Sequence, residues 1–461
     1  MASRTWLTLL LLATGTLAGC LGDDDTSDAS DLAAGELDLF GLPELVNATF
    51  QVLQLPAIHT GHGLYEPTID VSLDGTIYVS AHSTGLGQLP APGYYSTDDG
   101  ASWNTLALAG PAALPPGTQG SAPLFSDEIF IVAGDDGQAW GVDINLHSYI
   151  VSGWCDDGAT HCYYNPQAYD HAQTVLQAPE CNPVPLKDRP WAAYANGTLL
   201  LVNNPGGGPM QLGAMQVPPT LYVDAGPVAS GIQWNLCASS DGYIPGIPAL
   251  RGDGFFAVPQ GNEGAFHVVT GYASDVMDVQ QVPVFQNSNQ YASRSNVINV
   301  GQAAFDATGA LYVGAQANTA SQDGPDAGGF QVAVSLDGQN FTETTFRFDR
   351  PVSSVYFDGN PNGPGALVNW GHEDGDRTDW YMGHLFVGLD GAPILRHVTM
   401  ALDDGPDASR HVQGAAVGPD GRSYMVMSEN SGNDQTSDPG PGETPMAVVV
   451  QQDGPVMPAT S

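Results

Sequence analysis

The chain has 461 residues, of which 57 are glycine and 35 proline, with 42% hydrophobic residues. This length exceeds one ordinary core, and so many breakers exclude a long-helix protein in favour of short strands joined by turns. Fifty acids against 11 bases give a formal charge of -39, which repels nucleic acid and anionic bilayers and excludes both as direct partners; with Lys187 the single lysine, it suits a salt-rich milieu that screens self-repulsion.

In chain order, Arg4 precedes TWLTLLLLATGTLA, an apolar run short for a membrane span, and the run ends at LAGC. That ending resembles the lipobox of secreted lipoproteins. The resemblance implies a signal peptide over 1–19, a lipidated Cys20 and a place on the outer face of the cell membrane, held there by the lipid alone. Residues 20–47 are acidic, small and aromatic-poor, which predicts a disordered tether before a globule over 48–461. Four cysteines follow, and an even number in an exported chain predicts two disulfides, with three connectivities open. Cys155 and Cys162 flank the turn of WCDDGATHC and suit one bridge, leaving Cys181 with Cys237. A zinc site is the rival reading, and the spacing fits no common zinc signature.

The globule is periodic. Strand–turn–strand segments carry Gly75, Gly137, Gly197, Gly254, Gly309, Gly365 and Gly421, at intervals of 55 to 62 residues. A second hairpin follows each, so each unit holds about four strands. Such sheets hide their faces only by packing around an axis, which predicts an all-β, seven-bladed β-propeller of four-stranded antiparallel sheets, with six or eight blades as alternatives. NATFQVLQLP near Asn47 is expected to close the ring by pairing into the last blade, with the terminal PVMPATS competing for that place.

In GYYSTDDGASW, Ser96, Asp98, Gly100 and Trp103 fit S-x-D-x-G-x-x-W; Ser335, Asp337, Gly338 and Phe341 form a shortened copy, and Asp156, Asp157 and Gly158 another without the aromatic residue. The pattern resembles the Asp-box of BNR repeats in sialidase-like propellers. The expected role is structural: short oxygens bind the turn's own N–H groups, glycine takes a positive φ, and the ring packs beneath. The resemblance runs from about Glu66 to Gly454, and family sialidases are typically six-bladed.

Residues just before or at the start of each innermost strand are expected at one channel mouth: Tyr65 and Glu66, Asp188 and Arg189, Arg294, Asp349 and Arg350, Arg410 and His411. Arginine forks bind carboxylates bidentately, and family sialidases hold a substrate carboxylate with three arginines, so Arg189, Arg294, Arg350 and Arg410 are candidates for an anion or glycan site, with inter-blade ion pairs as the bland alternative. The F-R-I-P motif of active sialidases is absent, and Tyr65–Glu66 adjacency does not by itself make a nucleophile pair. Whether the chain is an enzyme therefore stays open. WGHEDGDRTDWYMGH carries His372, Glu373, Asp374, Asp376, Asp379 and His384; oxygens from Asp374, Asp376 and Asp379 could hold Ca²⁺, the one cofactor considered, although the reading preferred here is a solvated acidic loop. The expectation is a non-catalytic recognition module for a glycan or envelope protein, with a sialidase-type exo-glycosidase and a structural envelope scaffold as alternatives.

Overall fold

The computed structural model describes residues 36–38, 45–56, 64–83, 93–105, 128–134, 139–145, 149–155, 162–164, 169–170, 188–204, 210–216, 233–235, 237–238, 244–262, 265–285, 301–317, 328–349, 351–374, 377–403, 410–429 and 446–460. Among these the regular elements are 31 β-strands, hydrogen-bonded into six sheets around a central channel, which makes the protein an all-β propeller. The first sheet has nine strands. One meander runs Leu64–Val71, Ile77–Ser83, Gly93–Ser96 and Asn104–Thr105; another runs Glu128–Ala133, Ala139–Asn145, Tyr149–Cys155 and Cys162–Tyr164; a single pair, His82 with Glu128, joins them. The sequence expectation of seven sheets therefore meets six here, because two expected units share one hydrogen-bonded ladder.

The later sheets begin with the innermost strands Asp188–Ala195, Ala249–Leu250, Gln302–Phe305, Val352–Gly359 and Arg410–Val417. Sheets packed on both faces need continuous apolar runs rather than alternation, and Gly328–Ser335 is buried at all eight positions. The apolar clusters lie between sheets: Phe330, Phe346 and Phe348 of one pack with Trp370, Tyr381 and Leu385 of the next.

The periodic glycines close the turn after each innermost strand. Gly75, Gly197, Gly254, Gly309, Gly365 and Gly421 have φ between 74° and 103°, a region that L side chains resist; Gly137 lies outside the described residues. Beside them Asp74, Asp253 and Asp420 accept the N–H two residues on, from Thr76, Phe255 and Arg422.

The outer turns follow the same physics. Ser96 Oγ bonds Asp98 Oδ1 and accepts the Gly100 N–H, both at 2.8 Å, while Ser102 N–H donates to Asp98 Oδ1. Gly338 N–H donates to Ser335 Oγ at 2.8 Å, and Gln339 and Asn340 donate to Asp337. A Cβ on Gly100 would strike Leu53, and one on Gly338 would strike the Phe255 ring, so each turn seats a side chain from another sheet. Trp103 and Phe341 pack against the cores beside these turns. Asp156, Asp157 and Gly158 lie outside the described residues.

Closure joins the chain's two ends. Thr49–Gln54 pairs antiparallel with Met446–Asp453 as the outer strand of the last sheet. PVMPATS is not that strand. It crosses beneath two inner turns: Met457 N–H donates to Gly421 O, Asn360 Nδ2 to Pro458 O and Thr460 N–H to Asn362 O, with Met457 buried.

Two expectations need correction. The tether over 20–47 is not wholly free, since Glu36–Asp38 pairs parallel with Thr345–Arg347 and uses an open sheet edge. WGHEDGDRTDWYMGH is not a solvated loop. It is the hairpin of Ala366–Asp374 and Arg377–Val387, because its aromatic residues Trp370, Trp380 and Tyr381 enter the inter-sheet cores, which bury His372, Asp379 and His384 with them.

The serine of the outer turn gives a direct test. Ser96→Ala leaves the buried Gly100 N–H without its acceptor, which costs about 1–3 kcal/mol and lowers the melting temperature by several degrees. Ser102→Ala, at an exposed site, is expected to stay within about 0.5 kcal/mol. Circular dichroism melts of both variants in molar KCl provide the comparison.

Candidate functional site

The innermost strands enclose a cavity of about 750 Å³ on the propeller axis. Segments around Thr68, Phe130, Ala192, Ala249, Ala303, Phe357 and Gly414 line it in succession. It lies toward the face of the inner turns, since Asn196, Asp253, Gly309 and Pro361 border it. Much of its wall is alanine, glycine and backbone, and its carboxylates are few and specifically held.

Asp70 Oδ2 accepts the Ala133 N–H at 2.8 Å, across the junction of the two meanders, and Oδ1 accepts the Val71 N–H. Asp358 Oδ2 likewise accepts the Val417 N–H of the next innermost strand at 2.7 Å, and Oδ1 accepts that of Gly359. Two further hooks join neighbouring sheets: Phe357 N–H donates to Gln302 Oε1, and Gly365 N–H to Asp306 Oδ2. Both Asp70 and Asp358 are half-buried and line the channel. Enclosure by protein, which disfavours the charged form, raises Asp70 to about 6 against the pull of its N–H bonds. Burial and then the charge of Asp70 push Asp358 well above the carboxylate range. Both channel acids are thus shifted toward the protonated form, and Asp358 also feels the charge of Asp70.

The opposite mouth is formed by the leading ends of the innermost strands. Register shifts recur there, between Tyr65 and Thr68, Asp188 and Pro190, Val352 and Val355, and Val412 and Gly414. Bulges of this kind re-aim side chains and cluster at barrel rims and sites. Tyr65, Glu66, Arg189 and Arg410 occupy these leading ends by backbone position. Their side chains lie outside the described ones, and so do Arg294 and Arg350 entirely, as does Cys20.

Arginines that sequence reasoning passed over do define contacts. Arg422 bonds Asp420 and reaches Asp99 at 2.8 Å, tying the last sheet to the first outer turn. Arg251 forks onto Asp253 and covers the Phe255 and Phe305 rings. Of the Ca²⁺ candidates, the ladder pairs Asp374 with Arg377 and Asp379 with His372; the side chain of Asp374 lies outside the described ones, and Asp376 lies outside the described residues. Among the described residues no group of three His, Cys, Asp or Glu side chains could hold a metal ion. Cys155 and Cys162 are register partners on adjacent strands, Cys237 is disulfide-bonded, and Cys181 lies outside the described residues.

Asp70 and Asp358 were missed, although a signal existed: in TIDVS and VYFDG an acid interrupts an apolar innermost strand at the same offset before the turn.

No family model matches the chain, and no curated protein matches it. Solved structures align over most of its length. A Dyadobacter fermentans protein of unknown function is 11% identical, with 89% of this chain and 99% of that one covered and a TM-score of 0.43. The NanB sialidase of Streptococcus pneumoniae is 10% identical, covering 88% and 70%, with a TM-score of 0.44. The intramolecular trans-sialidase of Ruminococcus gnavus is 10% identical, covering 83% and 93%, with a TM-score of 0.42.

The channel acids set a pH dependence. Both folded-state pKa values lie above that of an unfolded aspartate, so their stabilising contribution is complete below about pH 4 and is lost as pH rises through the folded values, about 6 for Asp70. Melting temperature at constant molar salt is expected to fall between pH 4 and 7. Asp358→Asn, whatever its absolute stability, is expected to flatten that slope; an unchanged slope would remove the pair as its source.

Proposed function

We propose that this protein is an exported, lipid-anchored propeller of seven blades that works by recognition, offering the mouth at the leading ends of its innermost strands to an acidic glycan or an envelope protein. The blade count takes the nine-stranded sheet as two blades, and the succession of seven inner segments around the cavity supports it. One observation carries the functional reading: register shifts recur at the same end of four innermost strands, and Tyr65, Glu66, Arg189 and Arg410 stand at or beside three of them, with Arg350 two residues before the fourth strand. Bidentate arginines suit a carboxylate, and the acidic surface around them rejects other anions unless a fork holds them. The outer serine–aspartate turns, read as Asp-boxes, are scaffold, because their oxygens are taken up by the turns' own N–H groups. Cys20 supplies the anchor, and bridges Cys155–Cys162 and Cys181–Cys237 belong to the same exported reading.

A glycan array in molar KCl tests this. Binding to carboxylate-bearing sugars is expected, weakened at least tenfold by Arg189→Ala and by Arg410→Ala but not by Arg251→Ala at the other face. Arrays with no acidic-sugar signal would overturn the glycan reading in favour of a scaffold. A sialidase-type exo-glycosidase is the second reading, favoured by the register shift at Tyr65–Glu66, which can bring neighbouring side chains toward one face. Hydrolysis of a fluorogenic sialoside that Glu66→Gln abolishes would establish it.

A further inference from the structure

His384 and His397 lie outside everything assigned so far. They stand on the third and fourth strands of one sheet, Arg377–Val387 and Pro393–Asp403. Their Nδ1 atoms are 3.2 Å apart and their rings are nearly perpendicular, at 88°. The sheet is altered locally to bring this about. Its register shifts between Met382 and His384, and His397 adopts φ 52°, a left-handed conformation that costs a β-strand histidine about 1–3 kcal/mol. Phe386 stands 6.4 and 6.3 Å from the two rings and walls one side. His384 is buried at 3% exposure, whereas His397 is exposed, so the pair has a packed floor and an open lip.

We propose that His384 and His397 form a two-nitrogen site for a divalent transition-metal ion of the kind imidazole favours, such as Cu²⁺ or Zn²⁺, with water completing the shell. The spacing fits: two nitrogens bound at 2.0–2.1 Å around a tetrahedral ion lie about 3.3 Å apart. Burial and then His397 lower the His384 imidazole to about 4, and burial and then the charge of Arg396 lower His397. Arg396 is the opposing charge here, and the strongly acidic surface of the chain concentrates cations against it.

The test is titration of the full chain, washed free of metal by a chelator, with Cu²⁺ at neutral pH in molar KCl, read by electron paramagnetic resonance for nitrogen ligation. A nitrogen-ligated equivalent is expected that His384→Ala and His397→Asn each weaken at least tenfold, while His267→Ala leaves it intact. Asparagine tolerates the left-handed backbone at 397, so that variant decides the matter even if His384→Ala does not fold. Zn²⁺ is expected to raise the melting temperature of the wild type and not of His397→Asn. A wild type that binds no Cu²⁺ through nitrogen, or a folded His397→Asn that binds as the wild type does, overturns the proposal.

Discussion

Apart from Glu128–Ala133, an innermost strand has a ladder neighbour on one side, and its other edge of N–H and C=O groups faces the channel. Those groups must find partners or stay wet. Here the partners come largely from side chains of the adjoining innermost strand: Asp70 reaches Ala133, Gln302 reaches Phe357, and Asp358 reaches Val417. At another seam the backbones meet directly, with Ala303 N–H donating to Ile247 O. These hooks set how closely the sheets approach. Glycine follows from that closeness: a Cβ on Gly414 would crowd Ile69, and one on Gly359 would meet Phe305 O. The ring holds because acids and amides on one strand complete the ladder of the next.

The carboxylates fall into two electrostatic populations. In the outer turns Asp98 and Asp337 are shifted below the usual range, chiefly by N–H and hydroxyl donors around them, and carry charge at every physiological pH. In the channel the protein medium outweighs the same kind of donor at Asp70 and Asp358, and both are shifted upward. One residue type thereby supplies a repelling, hydrated surface and two channel acids whose charge the protein medium disfavours. A chain with 50 acids needs both, since self-repulsion carried inward would open the ring.

Much of the fold was legible because it is written locally. An Asp or Asn stands directly before the glycine of four of the six described inner turns, and Ser-x-Asp marks the outer turns at Gly100 and Gly338; the structure places a positive φ at all of these glycines. The closing strand Thr49–Gln54 could be anticipated from the last unit's missing fourth strand. What stayed hidden depends on register. The joining of two meanders through His82 and Glu128 is one residue pair, invisible to periodicity. The approach of His384 to His397 depends on a shift that no spacing rule foretells, because the hairpin between these two positions, 13 apart, looks unremarkable. Acidity misled the reading of WGHEDGDRTDWYMGH: its charges cluster at the hairpin tip, while its aromatics make the stem a core element.

The pairing of Thr49–Gln54 with Met446–Asp453 also fixes a schedule. The early strand leaves the ribosome almost the whole length of the globule before its mate exists. Until then every completed sheet stacks in an open arc whose two flanks expose apolar faces, and that arc is the species most prone to join with a second molecule. A dense coat of like charge keeps such half-built arcs apart, so the surface acids guard assembly as well as the finished disc.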